Sequence, residues 1–478
     1  MTSGGRLRRD LNLFDFTLLV IGAVVGADVY IVAGIAAGLL GPAQLTAWVI
    51  AGVLAALIGL AFVQCAAIQP RVGGSYAYVR AAFGPFIGFL AGWLLYVGEW
   101  IALPIFPVAF TNYLTYFIPA LPTAARLIVE LLLIGVVTIS NILGTRAGAR
   151  LNDALTIAKL VPLAVLVVVG IGFAALRPGL AVENLTPFAP SGWSGFGASV
   201  LVIFWAYAGF ELAVLPAGEV RNPRHTLPHG LIVGMAVATV LYVLTAFAVV
   251  VALPWTVAAS SSRSLADALD AMLAAFGFAQ SYGGALMSLG ALVSIAGVFE
   301  VFMLGVARLS YALARDGLFP QPFGRLHARF GTPYVGILFQ ALAAFVFANV
   351  LDLTHLIDSA MFFLGLCYAL TGLAALRLVQ RTPHAALHLP GLRGLLVVSA
   401  ISGLLLALQA PPELIAVGLG VIVVGLALFV LRRGTWTAAA ALETSLLQEE
   451  HLFGAWLLRF FRRGKVPAGE QRVSNTYD

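Results

Sequence analysis

Five ionisable residues stand inside otherwise apolar stretches: Asp28, Glu99, Lys159, Glu211 and Glu300. A charge near a bilayer centre costs several kcal/mol unless it faces water, a partner or a ligand. Such groups suit proton carriage, cation binding or ligand docking. Two of the acids sit beside glycine. The first stretch reads Gly22-Ala23-Val-Val-Gly26-Ala27-Asp28, and a later one reads Trp205-Ala206-Tyr207-Ala208-Gly209-Phe210-Glu211. Glycine lets a helix unwind, which frees carbonyl and N–H groups to bind a ligand. Gly22 and Gly26 also have the spacing of close helix packing, and Asp28 has the side chain of a helix cap. Lys159 is one of two lysines in the chain. A buried lysine yields its proton readily and suits coupling, whereas one only about 12 Å from a helix start can instead snorkel to the surface.

These residues need apolar helices to hold them. The chain has 478 residues, of which 61% are hydrophobic and 10% charged. A soluble domain is about 45–50% apolar and about 25% charged, so the composition excludes a soluble enzyme, a disordered chain and a nucleic-acid-binding module. A spanning helix needs about 20 apolar residues. Twelve such runs occur, at about 13–40, 43–69, 84–117, 125–144, 151–175, 195–219, 228–253, 283–313, 333–350, 355–379, 391–410 and 412–432. The first is read as a retained helix rather than a cleaved signal.

With both termini placed in the cytoplasm, 23 of the 27 Lys and Arg residues fall on that side. Arg126, Arg177 and Arg263 fall outside, and Lys159 lies within a helix. This asymmetry is the positive-inside pattern and turns the net charge of +6 into a topology signal. A multi-pass protein of the cell membrane is expected. Residues 1–11 form a cytoplasmic start, 12–432 the helical body and 433–478 a tail. Leu442, Leu446, Phe453, Trp456 and Phe460 recur near helical spacing, so the tail reads as an amphipathic helix at the lipid surface.

The two interruptions lie five spans apart, so their helices run in opposite directions. That is the mark of an inverted repeat with a ligand held at the midplane between broken helices, here about 13–175 against about 195–379. Spans 3 and 8 are long enough to be strongly tilted. Cys65 and Cys367 match no metal spacing. All seven histidines are read as falling in loops or the tail, with His229 and His355 at the very edges of apolar runs, so no histidine relay is placed in the membrane. Without an intramembrane nucleophile–base pair or metal cluster an enzyme is not expected, and no cofactor is called for. Two broken helices fit a carrier better than a channel with repeated filter loops.

Four segments carry a resemblance. Gly22 to Tyr30 resembles a Gly-x-x-x-Gly-x-Gly-Ile-Phe motif. PRVGGSYAYVRAAFGPFIGFLAGW from Pro70, GFELAVLPAGEVRNPRHTLP from Gly209 and RLSYALARDGLFP from Arg308 resemble the signatures that follow. Over roughly residues 10–432 the chain is similar to permeases of the amino acid–polyamine–organocation superfamily. The resemblance implies an all-α integral membrane protein of twelve transmembrane helices: a five-plus-five inverted repeat (the leucine-transporter-like fold) plus two C-terminal helices, working by alternating access. It implies an amino acid substrate, with its amine and carboxylate held by Gly22, Ala23, Gly26, Ala27 and Asp28 at the first break and by Trp205, Ala206, Tyr207, Ala208 and Gly209 at the second. It implies a coupling or gating role for Lys159, Glu211 and the aromatic Phe302, with protons as the coupling partner. Glu300 is weighed as facing Lys159 across the first helix, although the family does not usually carry an acid there. Gln64 stands where the family usually has Glu. Asp28 departs from the motif, which usually has glycine. It would repel a substrate carboxylate unless protonated. Asp28 therefore leaves two readings open, a proton carrier in an amino acid permease or an anchor for an amine or polyamine.

Overall fold

The computed structural model describes residues 11–26, 28–69, 74–143, 148–213, 220–278, 282–387 and 389–432. Ala27, segments 70–73 and 214–219 of the quoted motifs, and the tail from 433 lie outside the described residues. The described chain is helical. In order the helices are α1 (Leu13–Val24), α2 (Asp28–Leu40), α3 (Gln44–Ile68), α4 (Gly74–Phe83), α5 (Pro85–Ala102), α6 (Ile105–Leu114), α7 (Thr123–Leu143), α8 (Gly148–Leu176) and α9 (Pro178–Asn184). There follow α10 (Phe196–Trp205), α11 (Phe210–Ala213), α12 (Pro223–Ala252), α13 (Trp255–Ser260), α14 (Ser264–Ala275), α15 (Tyr282–Arg315), α16 (Tyr334–Ala348), α17 (Leu353–Arg381), α18 (Leu392–Ala407) and α19 (Pro412–Arg432).

Among the described residues, eight helical stretches are long and apolar enough to cross a membrane, and four apolar helices are shorter. Two of the short ones, α1 and α10, are short because their helices are interrupted at the glycine-flanked stretches. Helices lie in every one of the twelve apolar runs. The third run forms one apolar stretch, Pro85–Leu114, with an interruption. It divides into α5 and α6 at Leu103-Pro104, because proline supplies no N–H to the preceding turn and its ring crowds it. The eighth run is one helix of 34 residues.

Lipid-type side chains cover the outside of the bundle. Leu131 and Val136 of α7, Leu342 of α16, and Val417 and Leu431 of α19 are exposed apolar residues, a pattern that needs apolar surroundings. The interior holds α2, α10 and α17, with Trp48, Tyr207, Tyr242 and Tyr368 fully buried. Trp48 of α3 packs edge-on to Tyr242 of α12 with ring centroids 5.3 Å apart, and Tyr207 meets Tyr242 at 5.1 Å. These rings wedge α3 and α12 around the second interruption. On the opposite side α17 and α18 come so close at Gly365 and Gly403 that an added Cβ on Gly403 would lie 2.6 Å from the Ala369 amide nitrogen. Small residues at such crossings let backbones touch.

Candidate functional site

The first break follows from the residues at the end of α1. Val25 is extended, with φ −75° and ψ 94°, and its N–H closes the helix on Ile21 O at 2.7 Å. Helix α2 starts afresh at Asp28. A helix end leaves its last carbonyls without internal partners. Here they are met from other helices. The Lys159 ammonium of α8 donates to Gly22 O at 2.8 Å, and the Tyr242 hydroxyl of α12 donates to Val24 O at 2.8 Å. Asp28 is 4% exposed and its Oδ1 has no hydrogen-bond donor. Tyr30, two residues on, donates to the Lys159 carbonyl at 3.2 Å, and Tyr113 of α6 donates to Tyr30 O at 2.7 Å. Lys159 is thus joined to both halves of the broken helix, by its ammonium to α1 and by its carbonyl to α2. It is 7% exposed.

The second break begins where α10 tightens. Ala206, Tyr207 and Ala208 each donate to the carbonyl three residues back, at 2.9–3.1 Å, a 3₁₀-like ending. Gly209 then takes φ +113°, a conformation that residues with a Cβ rarely adopt. Glu211, in the short helix α11, turns its Oε2 back to accept the Gly209 N–H at 3.0 Å. A second reason for glycine is space: a Cβ on Gly209 would lie 2.4 Å from Ala23 O. The two interruptions therefore touch, backbone to backbone. Tyr242 spans both, since its hydroxyl also lies 3.0 Å from Ala206 O. Tyr207 points away and donates to Trp48 O at 2.9 Å.

Other groups extend the site. Trp205 stands 6.3 Å from the Phe106 ring, which meets Phe302 at 5.4 Å, so Phe302 joins the second break through one intervening aromatic. Glu99, 4% exposed on α5, lies within hydrogen-bonding reach of Glu211, which is 3% exposed. The Tyr368 hydroxyl of α17 is buried near Glu211 without a hydrogen-bond partner. Glu300 is placed elsewhere. It accepts from Ser140 Oγ of α7 at 2.7 Å and is not brought to Lys159. Gln64 accepts from the Leu387 amide at 3.0 Å, a structural tie between α3 and the segment after α17. Among the described residues no group of three or more His, Cys, Asp or Glu could hold a metal.

The structure brings together Gly22, Ala23, Gly26, Asp28, Lys159, Ala206, Gly209 and Glu211. Tyr242, which touches both breaks, was not marked by any motif. Its only signal is a tyrosine placed mid-way along an apolar helix, where a hydroxyl needs a partner.

A buried seam of two interrupted helices, with ionisable groups on freed backbone atoms and a lipid-type exterior, defines a multi-pass membrane transport protein rather than an enzyme. The family model described as amino acid permease matches residues 11–432, and the chain belongs to that family. Among curated proteins it is 28% identical to the methylthioribose transporter of Bacillus subtilis, over 79% of this chain and 82% of the relative. It is 26% identical to the branched-chain amino acid permease BcaP of the same organism, over 74% and 78%. It is 28% identical to cationic amino acid transporter 4 of Mus musculus, over 80% of this chain and 61% of the relative.

Proposed function

We propose that this permease is a secondary active transporter that carries amino acids across the cell membrane by alternating access, coupled to protons. The observation that carries the reading is the Lys159 ammonium on Gly22 O. A single positive charge occupies a carbonyl freed by the first break. An ammonium can lose its proton and let go of the carbonyl. In this reading twelve spans divide into repeats of about 13–175 and about 195–379 plus two final helices, with both termini in the cytoplasm. The substrate's amine and carboxylate lie against Gly22, Ala23, Gly26, Ala27 and Asp28 at one break and Trp205 to Gly209 at the other. Freed carbonyls attract the amine, and the start of α2 attracts the carboxylate. Glu211 and Phe302 gate the path. Relatives named for branched-chain and cationic amino acids support an amino acid cargo.

Reconstituted proteoliposomes test this. An inward pH gradient without sodium should drive accumulation of at least one amino acid. Uptake that demands sodium and ignores the gradient would overturn the coupling. A second reading, an amine permease or an amino acid–amine antiporter, is favoured by one observation: the donor-free Asp28 Oδ1 where α2 begins, which suits an ammonium. Putrescine uptake with every amino acid excluded would select it.

A further inference from the structure

The loop from α15 to α16 is closed around an imidazole. The His327 N–H donates to Thr332 O at 2.8 Å, and the Gly331 N–H returns to His327 O at 2.8 Å. Within this ring His327 Nδ1 meets two main-chain donors, the Arg329 N–H at 3.3 Å and the Phe330 N–H at 3.4 Å. A main-chain N–H can only donate, so Nδ1 presents its lone pair and the imidazole is neutral. The ring stacks on Phe330 with centroids 4.8 Å apart and meets Tyr334 of α16 edge-on at 6.0 Å. What the imidazole closes is a joint between helices. Thr332 O also accepts the Tyr334 N–H at 2.9 Å, and Thr332 Oγ1 donates to Ile142 O at 2.7 Å, one residue from the end of α7. Just before Ile142, Ser140 and Asn141 donate to the carboxylate and the carbonyl of Glu300 on α15, at 2.7 and 3.2 Å. The start of α16, the end of α7 and the middle of α15 are thereby tied together, two residues from Phe302.

A proton on Nδ1 would turn the acceptor into a donor that faces two other donors. The surroundings do not favour the resulting imidazolium. Between Asp316 and Asp352 the chain has no acid. Arg325 and Arg329 are the loop's charged side chains, and the Arg329 guanidinium already lies over Phe330, 5.4 Å from its centroid. A second cation on that ring would meet a like charge. Tyr334 is the titratable group that α16 presents, and α7 reaches the loop through the Ile142 carbonyl. At the end of α15, Arg315 is engaged by Tyr311 and Asp316 by Arg80.

We propose that His327 is a pH switch on the carrier: the neutral imidazole holds the joint of α7, α15 and α16, and a proton taken from solution onto Nδ1 opens it and slows alternation. The switch lies away from both breaks and does not need the proton coupling proposed above. In the orientation of that reading the loop is cytoplasmic, so acid delivered by the carrier would slow the carrier.

The test uses the full chain in lipid nanodiscs and in proteoliposomes, at about pH 7.5 and about pH 5.5, which bracket the range where histidine changes charge. Hydrogen exchange, corrected for the intrinsic effect of pH on amides, reads the Arg329 and Phe330 N–H groups. Their protection should fall at least about tenfold on acidification, within the limit of about tenfold per pH unit for one linked proton. Homoexchange of leucine, arginine or serine, with equal pH on both faces so that no gradient acts, should slow severalfold. His327→Asn sets an amide oxygen in the place of Nδ1 and does not titrate in this range. It should keep both amides protected at either pH and remove most of the acid sensitivity of exchange. His327→Ala offers no acceptor, and it should leave both amides unprotected and homoexchange slow at either pH. Wild-type amides equally protected at both pH values would overturn the switch, even where a variant does not fold. So would wild-type homoexchange that is unchanged or faster in acid, or a His327→Asn protein as acid-sensitive as the wild type. The amide measurement needs no substrate, so failure of the switch and failure of the permease reading are read separately.

Discussion

The two breaks solve the same problem with opposite charges. At the first, a freed carbonyl, Gly22 O, is met by an ammonium; at the second, a freed amide, Gly209 N–H, is met by a carboxylate. Each partner complements the backbone pole it faces. The carbonyl's partner comes from another helix, 137 residues away in sequence, whereas the amide's partner is two residues away. The first break is therefore held by tertiary structure and the second by local structure. The first should respond to motion of α8, and the second should keep its shape as it moves.

The largest effect should come from removing the distant partner. Lys159→Ala should abolish gradient-driven uptake in proteoliposomes and, by stranding Gly22 O, cost about 1–3 kcal/mol of stability. Unchanged uptake would refute the coupling role and remove the first half of the contrast. Next, alanine at the glycines separates local from distant support. Gly209→Ala meets Ala23 O and must hold φ +113°, costing about 1–3 kcal/mol from strain and about as much again from the clash. At Gly26 a Cβ finds Asp28 Oδ2 at 3.1 Å and Val298 Cγ2 at 3.3 Å, side-chain atoms that can yield. Thermal unfolding should rank Gly209→Ala well below Gly26→Ala, and equal midpoints would break the distinction.

A smaller loss is expected from Tyr242→Phe, about 1–2 kcal/mol, because one hydroxyl serves Val24 O and Ala206 O together. If the loss is additive with that of Gly209→Ala, the two breaks are independent. Coupling beyond about 0.5 kcal/mol in a double-mutant cycle shows that they act as one. The smallest effect lies away from both. Asp352 caps α17 by accepting the His355 N–H at 2.9 Å. Burial pushes its carboxyl up, but the His355 amide and imidazole outweigh that and hold it below the usual range. Asp352→Ala should cost about 1 kcal/mol. A folded-state value below the unfolded one stabilises above about pH 4 and fades as pH falls through the folded value. The difference between wild type and Asp352→Ala should shrink on acidification, and a gap that widens would contradict this.

The breaks were legible because their causes are local. Gly22, Gly26 and Asp28 sit within seven residues, and Gly209 and Glu211 within three. Twelve apolar runs, each now occupied by helix, were legible from composition for the same reason. Contacts between distant segments were not. Glu99 shows no sign in sequence of meeting Glu211, and Tyr242 carries no motif. The placement of Glu300 opposite Lys159 erred on helix phase: neighbouring residues on a helix point about 100° apart. Phe299 is fully buried, whereas Glu300 turns toward Ser140 on α7. The division of the third run at Pro104 was visible as a proline but read as length alone.

The contact of Gly209 with Ala23 O contains no side chain. In the proposed transport cycle, a joint made of main chain would not be retuned by exchanging side chains. Residues around it, such as Glu99, Trp205 and Phe302, would then be free to change with the cargo while the joint stays the same, so that movement and cargo choice would fall to different parts of the chain.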